Sequence, residues 1–386
     1  MKILWFTWKD INDPYAGGAE VVSNQLAKRL VADGHEVVFL VRGFPGMAKE
    51  EIVNGYKVIR VGNYHTVYWE AYKYYKKHLQ GWADLVIEEA NIIPFFCNWY
   101  VKEKSILFFH NLGREIWFYE MGWLKGLIGY LGEPIWLQFL GKKRDIITIS
   151  ESTKKDLVRF GFKKNKIKII SEGIEIKPIA NLQIEKFEKP TLLSLGALRA
   201  MKRADQIFLA FELAKKEIPD LQLIVAGCTK GNFAKKVLAM IEESPFKDSI
   251  QCLGKVSPER KIELMQKSHL IAVTSTREGW GLIVTEANSQ GTPAVVYDVQ
   301  GLRDSVKNLK TGYICEKNTP ENLSKKIKKA LENKDKYEKI RLNAWQWSKK
   351  ITFDKSYDDF KNCLNFNYEE KKISILKRAL NHINFL

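Results

Sequence analysis

Two glutamates, Glu278 and Glu286, stand eight positions apart in the stretch EGWGLIVTE, with Gly279 and Gly281 beside the first. Glu278 falls at an expected turn from strand to helix. Glu286 falls on the helix itself, among Leu282, Ile283 and Ala287, which are expected to face a core. A partly buried carboxylate without a partner costs about 1–3 kcal/mol, so chains keep one where a ligand brings donors. Sugar hydroxyls are such donors: a carboxylate at 286 can take both hydroxyls of a ribose, and one at 278 those of a hexose. The glycines let backbone N–H groups from Gly281 onward reach a phosphate at the helix start. The plainer alternative is a salt bridge from Arg277 to Glu278 and a solvated Glu286.

Arg199 and Lys202 are the matching cations. They lie in the loop GALRAMKR (196–203), after one apolar run and before a helical one, and two cations at a cleft rim suit a departing diphosphate. Ordinary surface charge is the alternative for both. His110 ends the run SILFFH and reads equally as a core histidine with its hydrogen bonds met. Gly17-Gly18 precedes a helical pattern; the pair either shapes a turn or lets backbone approach a ligand. No GxGxxG follows Thr7, which disfavours a nicotinamide dehydrogenase.

These residues need a frame. Ile3–Thr7, a glycine loop, a helical pattern over 19–32 and the apolar run EVVFLV (36–41) make a βαβ unit with parallel strands. Further apolar runs start at Lys57, Leu85, Ser105, Ile146 and Lys168, with helical stretches over 70–80 and 152–160. They do not alternate, as expected of strands buried on both faces. A linker is expected at Glu175–Pro190. The pattern then restarts with strands at 191–195, 221–226, 271–274 and 294–297 and helices at 205–216, 282–289 and 321–333. The expected architecture is α/β: two doubly wound, Rossmann-like domains, 1–175 and 176–344, facing each other across a cleft.

The chain has 386 residues, 45% hydrophobic and 28% charged, enough apolar content for a sizeable core and against disorder. No stretch of 18 apolar residues occurs, so no spanning helix is expected, and the opening MKILWFTWKD has too short an apolar run for a signal peptide. The five cysteines (97, 228, 252, 315, 363) are scattered; they read as small buried side chains in a reducing compartment rather than a metal site or disulfide framework. A net charge of +17 admits nucleic acid, anionic lipid or a phosphate-bearing small molecule. No nucleic-acid-binding motif accompanies it, and a solvated lysine surface is the alternative. One basic concentration lies at 142–168, with ten Lys or Arg against Asp145, Glu151 and Asp156.

Together these residues resemble the retaining glycosyltransferases of family 4, which have the GT-B fold. The resemblance rests on Gly17-Gly18-Ala19-Glu20, His110, the segment ISESTKKDL (149–157) and EGIE (172–175). It continues with the Lys202 loop, Glu278-Gly279-Trp280-Gly281 with Glu286, and GLRD (301–304). It implies that Glu286 holds the nucleotide ribose and that Glu278, with the backbone of Gly279 through Ile283 (Trp280 and Leu282 included), binds the donor sugar. His110 would approach from the other lobe, Lys202 would stabilise the leaving diphosphate, and Gly17 and Gly18 would close on donor and acceptor. It further implies a hexose moved from a GDP- or UDP-sugar with retention, no metal (no D-x-D triplet occurs), and last helices, 345–386, that pack back on the first domain. The family's loop has Arg directly after Gly196; here Ala197 stands there, so Arg199 is the candidate for that phosphate contact.

The acceptor side is read from aromatics. YHTVYWEAYKYYKKHLQGW (64–82) and the segment 115–140 interleave aromatic residues with lysines, which suits either core packing or a membrane interface. The expectation is a cytoplasmic protein, peripheral on an anionic membrane, with a lipid-linked or envelope-glycan acceptor. Two rival readings predict different things. An anionic-polymer binder predicts a continuous basic groove, and another nucleotide-sugar enzyme, an epimerase or phosphorylase, predicts a different cofactor context.

Overall fold

The computed structural model describes residues 1–91 and 93–364. The first sheet has eight strands: β1 (Lys2–Phe6), β2 (Glu36–Arg42), β3 (Glu50–Val53), β4 (Tyr56–Val61), β5 (Leu85–Asn91), β6 (Ser105–Asn111), β7 (Asp145–Thr148) and β8 (Ile167–Ile169). Their order is β3-β4-β2-β1-β5-β6-β7-β8. Every pairing is parallel except β3 with β4. The second sheet holds β9 (Thr191–Leu195), β10 (Gln222–Ala226), β11 (Ile250–Gly254), β12 (Leu270–Val273), β13 (Ala294–Val296) and β14 (Gly312–Ile314). Its order is β11-β10-β9-β12-β13-β14, parallel throughout.

Helices cover both faces of each sheet, so central strands such as β12 are buried residue by residue. In β1, Trp5 is fully buried between Phe39, 5.1 Å away, and Phe360, 5.9 Å away. The same burial made these strands visible as unbroken apolar runs. It also explains what the runs did not reveal. β3 is a half-exposed edge strand, antiparallel to β4 through the Asn54-Gly55 turn, whose two residues both have positive φ. β11 and β14 are likewise edge strands, and β14 is only three residues long.

The stretch 175–190 is packed on the second lobe. Ile176 and Phe187 lie against its core, and Lys186 Nζ donates to Gln266 O, Ser268 O, Gly291 O and Thr292 Oγ1, each at 2.8 Å. The return to the first lobe begins later than position 345. Helix Lys334–Ser348 stays with the second lobe, burying Tyr337 and Ile340 in its core, and Trp345 Nε1 donates to Ile179 O. The crossing comes at the Ile174–Thr352 bridge. A helix over 353–364 then lays Phe353, Tyr357 and Phe360 into the first core. The segment 365–386 lies outside the described residues. The cysteine expectation needs correction: Cys97 and Cys315 are buried, but Cys228 and Cys252 are exposed and Cys363 is half-buried. Cys228 lies just after the carboxyl end of β10, and Cys252 lies in the middle of edge strand β11, in register with Val225.

Candidate active site

Two loops at the carboxyl ends of β9 and β12 build the second lobe's half of the site. They are clasped: Thr274 Oγ1 lies within hydrogen-bond distance of both Lys202 O and Arg203 O (3.0 and 2.8 Å), which share its one proton, and Thr276 N donates to Met201 O (2.8 Å). The clasp sets Lys202 Nζ 2.5 Å from Glu278 Oε1, which also accepts from Ser275 Oγ at 2.6 Å. Glu278 is fixed from behind, because its N–H donates to Gln300 O and its carbonyl presses on Gly301. A Cβ at 301 would sit 2.4 Å from that oxygen, and φ there is +79°, so only glycine fits. Gly281, with φ +93°, opens helix Leu282–Ser289, which carries Glu286. Glu286 Oε2 lies 2.6 Å from Lys261 Nζ. Lys261 and Ser275 carried no sequence signal; each is visible only as a neighbour in space.

The first lobe meets these loops closely. A Cβ on Gly18 would stand 3.1 Å from Leu282 Cδ1, and one on Gly279 would stand 2.8 Å from His110 O. Helix Gly18–Ala32 begins at Gly18 and helix Leu282–Ser289 at Leu282, so two helix N-termini, one from each lobe, converge. First-turn N–H groups have no acceptor within their own helix and carry the positive end of its dipole. With Lys202 nearby, the arrangement suits an anion held between the lobes.

Not every anticipated residue points there. The ring of His110 is buried and turned into its own lobe, with Nε2 3.2 Å from Glu89 Oε1 but outside hydrogen-bond geometry; its carbonyl, which accepts from Thr153 Oγ1, is the part that meets Gly279. Burial opposes a charge on this ring, but the Glu89 carboxylate, supported by Glu172 and Glu20, outweighs it and raises the pKa above the usual histidine value. Glu172, fully buried and held at one oxygen by Gly173 N–H, is pushed up to about 7 by desolvation, against the pull of His110. Trp280 packs on the first core and donates from Nε1 to Thr285 Oγ1, and Ile283 packs on the second core. Both side chains therefore serve packing, and only their backbone remains for a ligand.

The alternative reading, a bridge from Arg277 to Glu278, is not what forms. Buried Arg277 crosses to the first lobe, meeting Asp156 Oδ2 at 2.6 Å and Glu115 Oε2 at 3.0 Å. Arg199 likewise crosses to Glu120 Oε2, 2.7 Å away on the exposed rim, and only its carbonyl, accepting from Lys202 N–H, connects it to the centre. These ion pairs join the lobes directly beside Lys202 and Glu278. Their acidic members were invisible as partners in the sequence, since 79 positions separate Glu120 from Arg199, 121 separate Asp156 from Arg277 and 162 separate Glu115 from Arg277.

The site is self-neutralised: each anticipated carboxylate has an ammonium against it. A diphosphate can draw Lys202 away from Glu278, and sugar hydroxyls can replace the proton donors that Glu278 and Glu286 give up.

Comparison with known families and proteins agrees with this geometry. Residues 16–177 match the model described as Glycosyltransferase Family 4, and residues 180–347 match that of Glycosyl transferases group 1. The N-acetyl-alpha-D-glucosaminyl L-malate synthase of Bacillus anthracis is 23% identical over 335 residues, covering 78% of this chain and 81% of that protein. Among solved structures, a sucrose-phosphate synthase from Thermosynechococcus elongatus superposes with a TM-score of 0.76 at 17% identity, over 97% of this chain and 99% of that one. HepE from Anabaena, in complex with UDP and glucose, gives 0.70 at 16% identity, over 95% and 99%. At such identities the structural likeness speaks for the fold.

Proposed function

This chain belongs to the group 1, family 4 glycosyltransferases, with two facing Rossmann-like lobes in the GT-B arrangement and nucleotide-sugar donors as substrates, and from that premise we propose that it moves a hexose with retention, without a metal, to a lipid-linked or envelope-glycan acceptor. The observation that carries the reading is the meeting of Lys202 and Glu278 where two helix N-termini converge. The donor's diphosphate lies against Lys202 and the first turns at Gly18 and Leu282. These groups supply the positive charge that a cation would otherwise bring. Glu286 exchanges Lys261 for the ribose hydroxyls, and Glu278 receives hydroxyls of the hexose. The binding of UDP by HepE supports a UDP-sugar as the donor, with a GDP-sugar as the alternative.

Front-face displacement follows from what the site offers. The bond from the anomeric carbon to the diphosphate oxygen breaks, and the acceptor oxygen bonds to that carbon on the same face. The acceptor's proton passes to the departing diphosphate. This route needs no carboxylate pair of the kind a glycosidase uses; Lys202 meets the developing negative charge instead. Arg199 holds the loop rim through Glu120, and His110 shapes the first-lobe wall through its carbonyl.

The test is a panel of nucleotide sugars followed by thermal shift, then by nucleoside diphosphate release with and without a chelator. The anomeric configuration of the product is read by NMR. Binding of one nucleotide-sugar class, chelator-insensitive release and a retained configuration are expected. An inverted product or chelator-abolished release would refute the corresponding part.

A further inference from the structure

Helix Trp123–Gln138 has its large apolar side chains on the wrong side for a core helix. Its inward face is built from small or polar residues, Gly126, Gly129 and Glu133, with Leu137. The close fit there fixes the helix rotation. A Cβ on Gly129 would lie 2.3 Å from the Trp117 ring, and one on Gly126 would lie 2.7 Å from Phe118 Cα. The opposite face therefore points to solvent: Leu124, Ile128, Leu131 and Ile135, exposed by 58 to 71%, form a stripe at helical spacing. Trp123 opens it at 75% and Phe139 closes it at 52%. Trp99 extends it, with its Nε1 donating to Phe139 O and its ring 5.9 Å from that of Phe139. A contiguous apolar surface of this kind marks an interaction site.

Its rim is cationic. Lys125 on the helix and Lys143 just beyond it are exposed, and Lys143 is the second residue of the basic stretch 142–168. Next to Trp99, Tyr100 O accepts from Lys76 Nζ, and Lys76 is exposed. The acidic residues of the segment 115–138 are engaged elsewhere: Glu133 is buried, and Glu115 and Glu120 pair with Arg277 and Arg199.

We propose that this stripe, rimmed by lysines, is the surface by which the protein lies on an anionic bilayer. An apolar face inserts at the headgroup boundary while the lysines meet lipid phosphate. A second copy of the chain is disfavoured by charge, because a two-fold contact through this face brings together two surfaces that carry the same lysines. The surface is tied to the active site. Both oxygens of Glu133 accept from the loop after His110, from Gly113 N and Arg114 N at 2.6 Å each, and the next residue, Glu115, holds Arg277. Docking thus sets the mouth of the site against the bilayer, where an acceptor carried in the membrane enters beside Lys202 and Glu278; this last step rests on the proposed lipid-linked acceptor.

The test is flotation of the full chain with vesicles of phosphatidylcholine alone and of phosphatidylcholine mixed with phosphatidylglycerol, at low and high salt. Salt-sensitive binding to the mixed vesicles is expected. Ile128→Ser with Leu131→Ser should weaken it by about tenfold or more, and Lys125→Glu with Lys143→Glu should remove its salt-sensitive part. Trp123→Ser serves as a milder variant should the double one fold poorly. UDP and GDP affinity is measured on every variant. Unchanged affinity shows that the variants are folded, whereas no nucleotide binding by the wild type strikes the donor reading and leaves docking to stand on flotation alone. Absence of binding to anionic vesicles, equal binding of the apolar variants, or a concentration-dependent dimer that those substitutions dissolve would each overturn the proposal.

Discussion

Lys202→Ala separates catalysis from structure at the centre of the site. The ammonium is about one-third exposed, and its contact with Glu278 is an open ion pair, which contributes at most about 1 kcal/mol to stability after screening and side-chain entropy. Glu278 keeps the Ser275 hydroxyl when the lysine is gone, so the fold should lose little. Turnover should lose far more. Removing one preorganised donor from a developing anion costs about 3–4 kcal/mol, or a factor of roughly 10²–10³ in kcat. Donor affinity should fall much less, since the helix N-termini at Gly18 and Leu282 remain. The assay is steady-state release of nucleoside diphosphate, with donor affinity from calorimetry and stability from urea unfolding. Adding Glu278→Gln completes a cycle. If Lys202 only neutralises Glu278, the double variant regains the activity that Lys202→Ala lost; if it acts on the leaving group, the double variant stays slow. A single variant within about threefold of wild type in kcat, or a rescued double variant, refutes the assignment.

Glu286→Ala should weaken UDP or GDP binding roughly 10–100-fold through lost charge-assisted hydrogen bonds to ribose; calorimetry reads this, and an unchanged affinity removes Glu286 from the nucleotide. Arg277→Met leaves buried Asp156 without its guanidinium, so urea unfolding should show a loss of about 3–5 kcal/mol, with small-angle scattering reporting a wider spacing of the lobes. For pH, the folded chain holds the Glu172 proton up to about pH 7, whereas a solvated glutamate loses it near 4.5. Its stabilisation is therefore complete below about 4.5 and is lost as pH rises through 7. The raised pKa of His110 acts in the same direction at higher pH, with Glu89 and Glu20 as its other carboxylate neighbours. Glu172→Gln should flatten the decline in stability between pH 5 and 8 and stabilise the protein at pH 8 by on the order of 2–3 kcal/mol; an unchanged slope in denaturation midpoints refutes this.

Much of the frame was written in local pattern. The apolar runs of β1, β2, β9 and β12 and the helix Leu282–Ser289 appear within a residue or two of where composition places them, because strands buried on both faces admit almost nothing polar. Edge strands β3 and β11 escaped notice because they are half-exposed and their residues follow no single rule, and β14 because its three residues are too few to show a pattern. The helix Pro258–Lys267 escaped notice as well, and with it the position of Lys261.

Sequence by itself determined the two α/β units, the glutamate pair, the Lys202 loop and the glycines that make room for backbone. Each is a matter of residue type and short spacing, which is local chemistry. Tertiary structure alone decided the partners: Lys261 for Glu286, Asp156 and Glu115 for Arg277, Glu120 for Arg199, and Glu89 for His110. It also decided that the aromatic-rich helix Trp123–Gln138 turns Gly126 and Gly129 inward and Leu124, Ile128, Leu131 and Ile135 outward. An amphipathic pattern fixes that a helix has an apolar face, but which face meets the protein depends on how closely a neighbouring backbone can approach, and that is known only once the chain is folded.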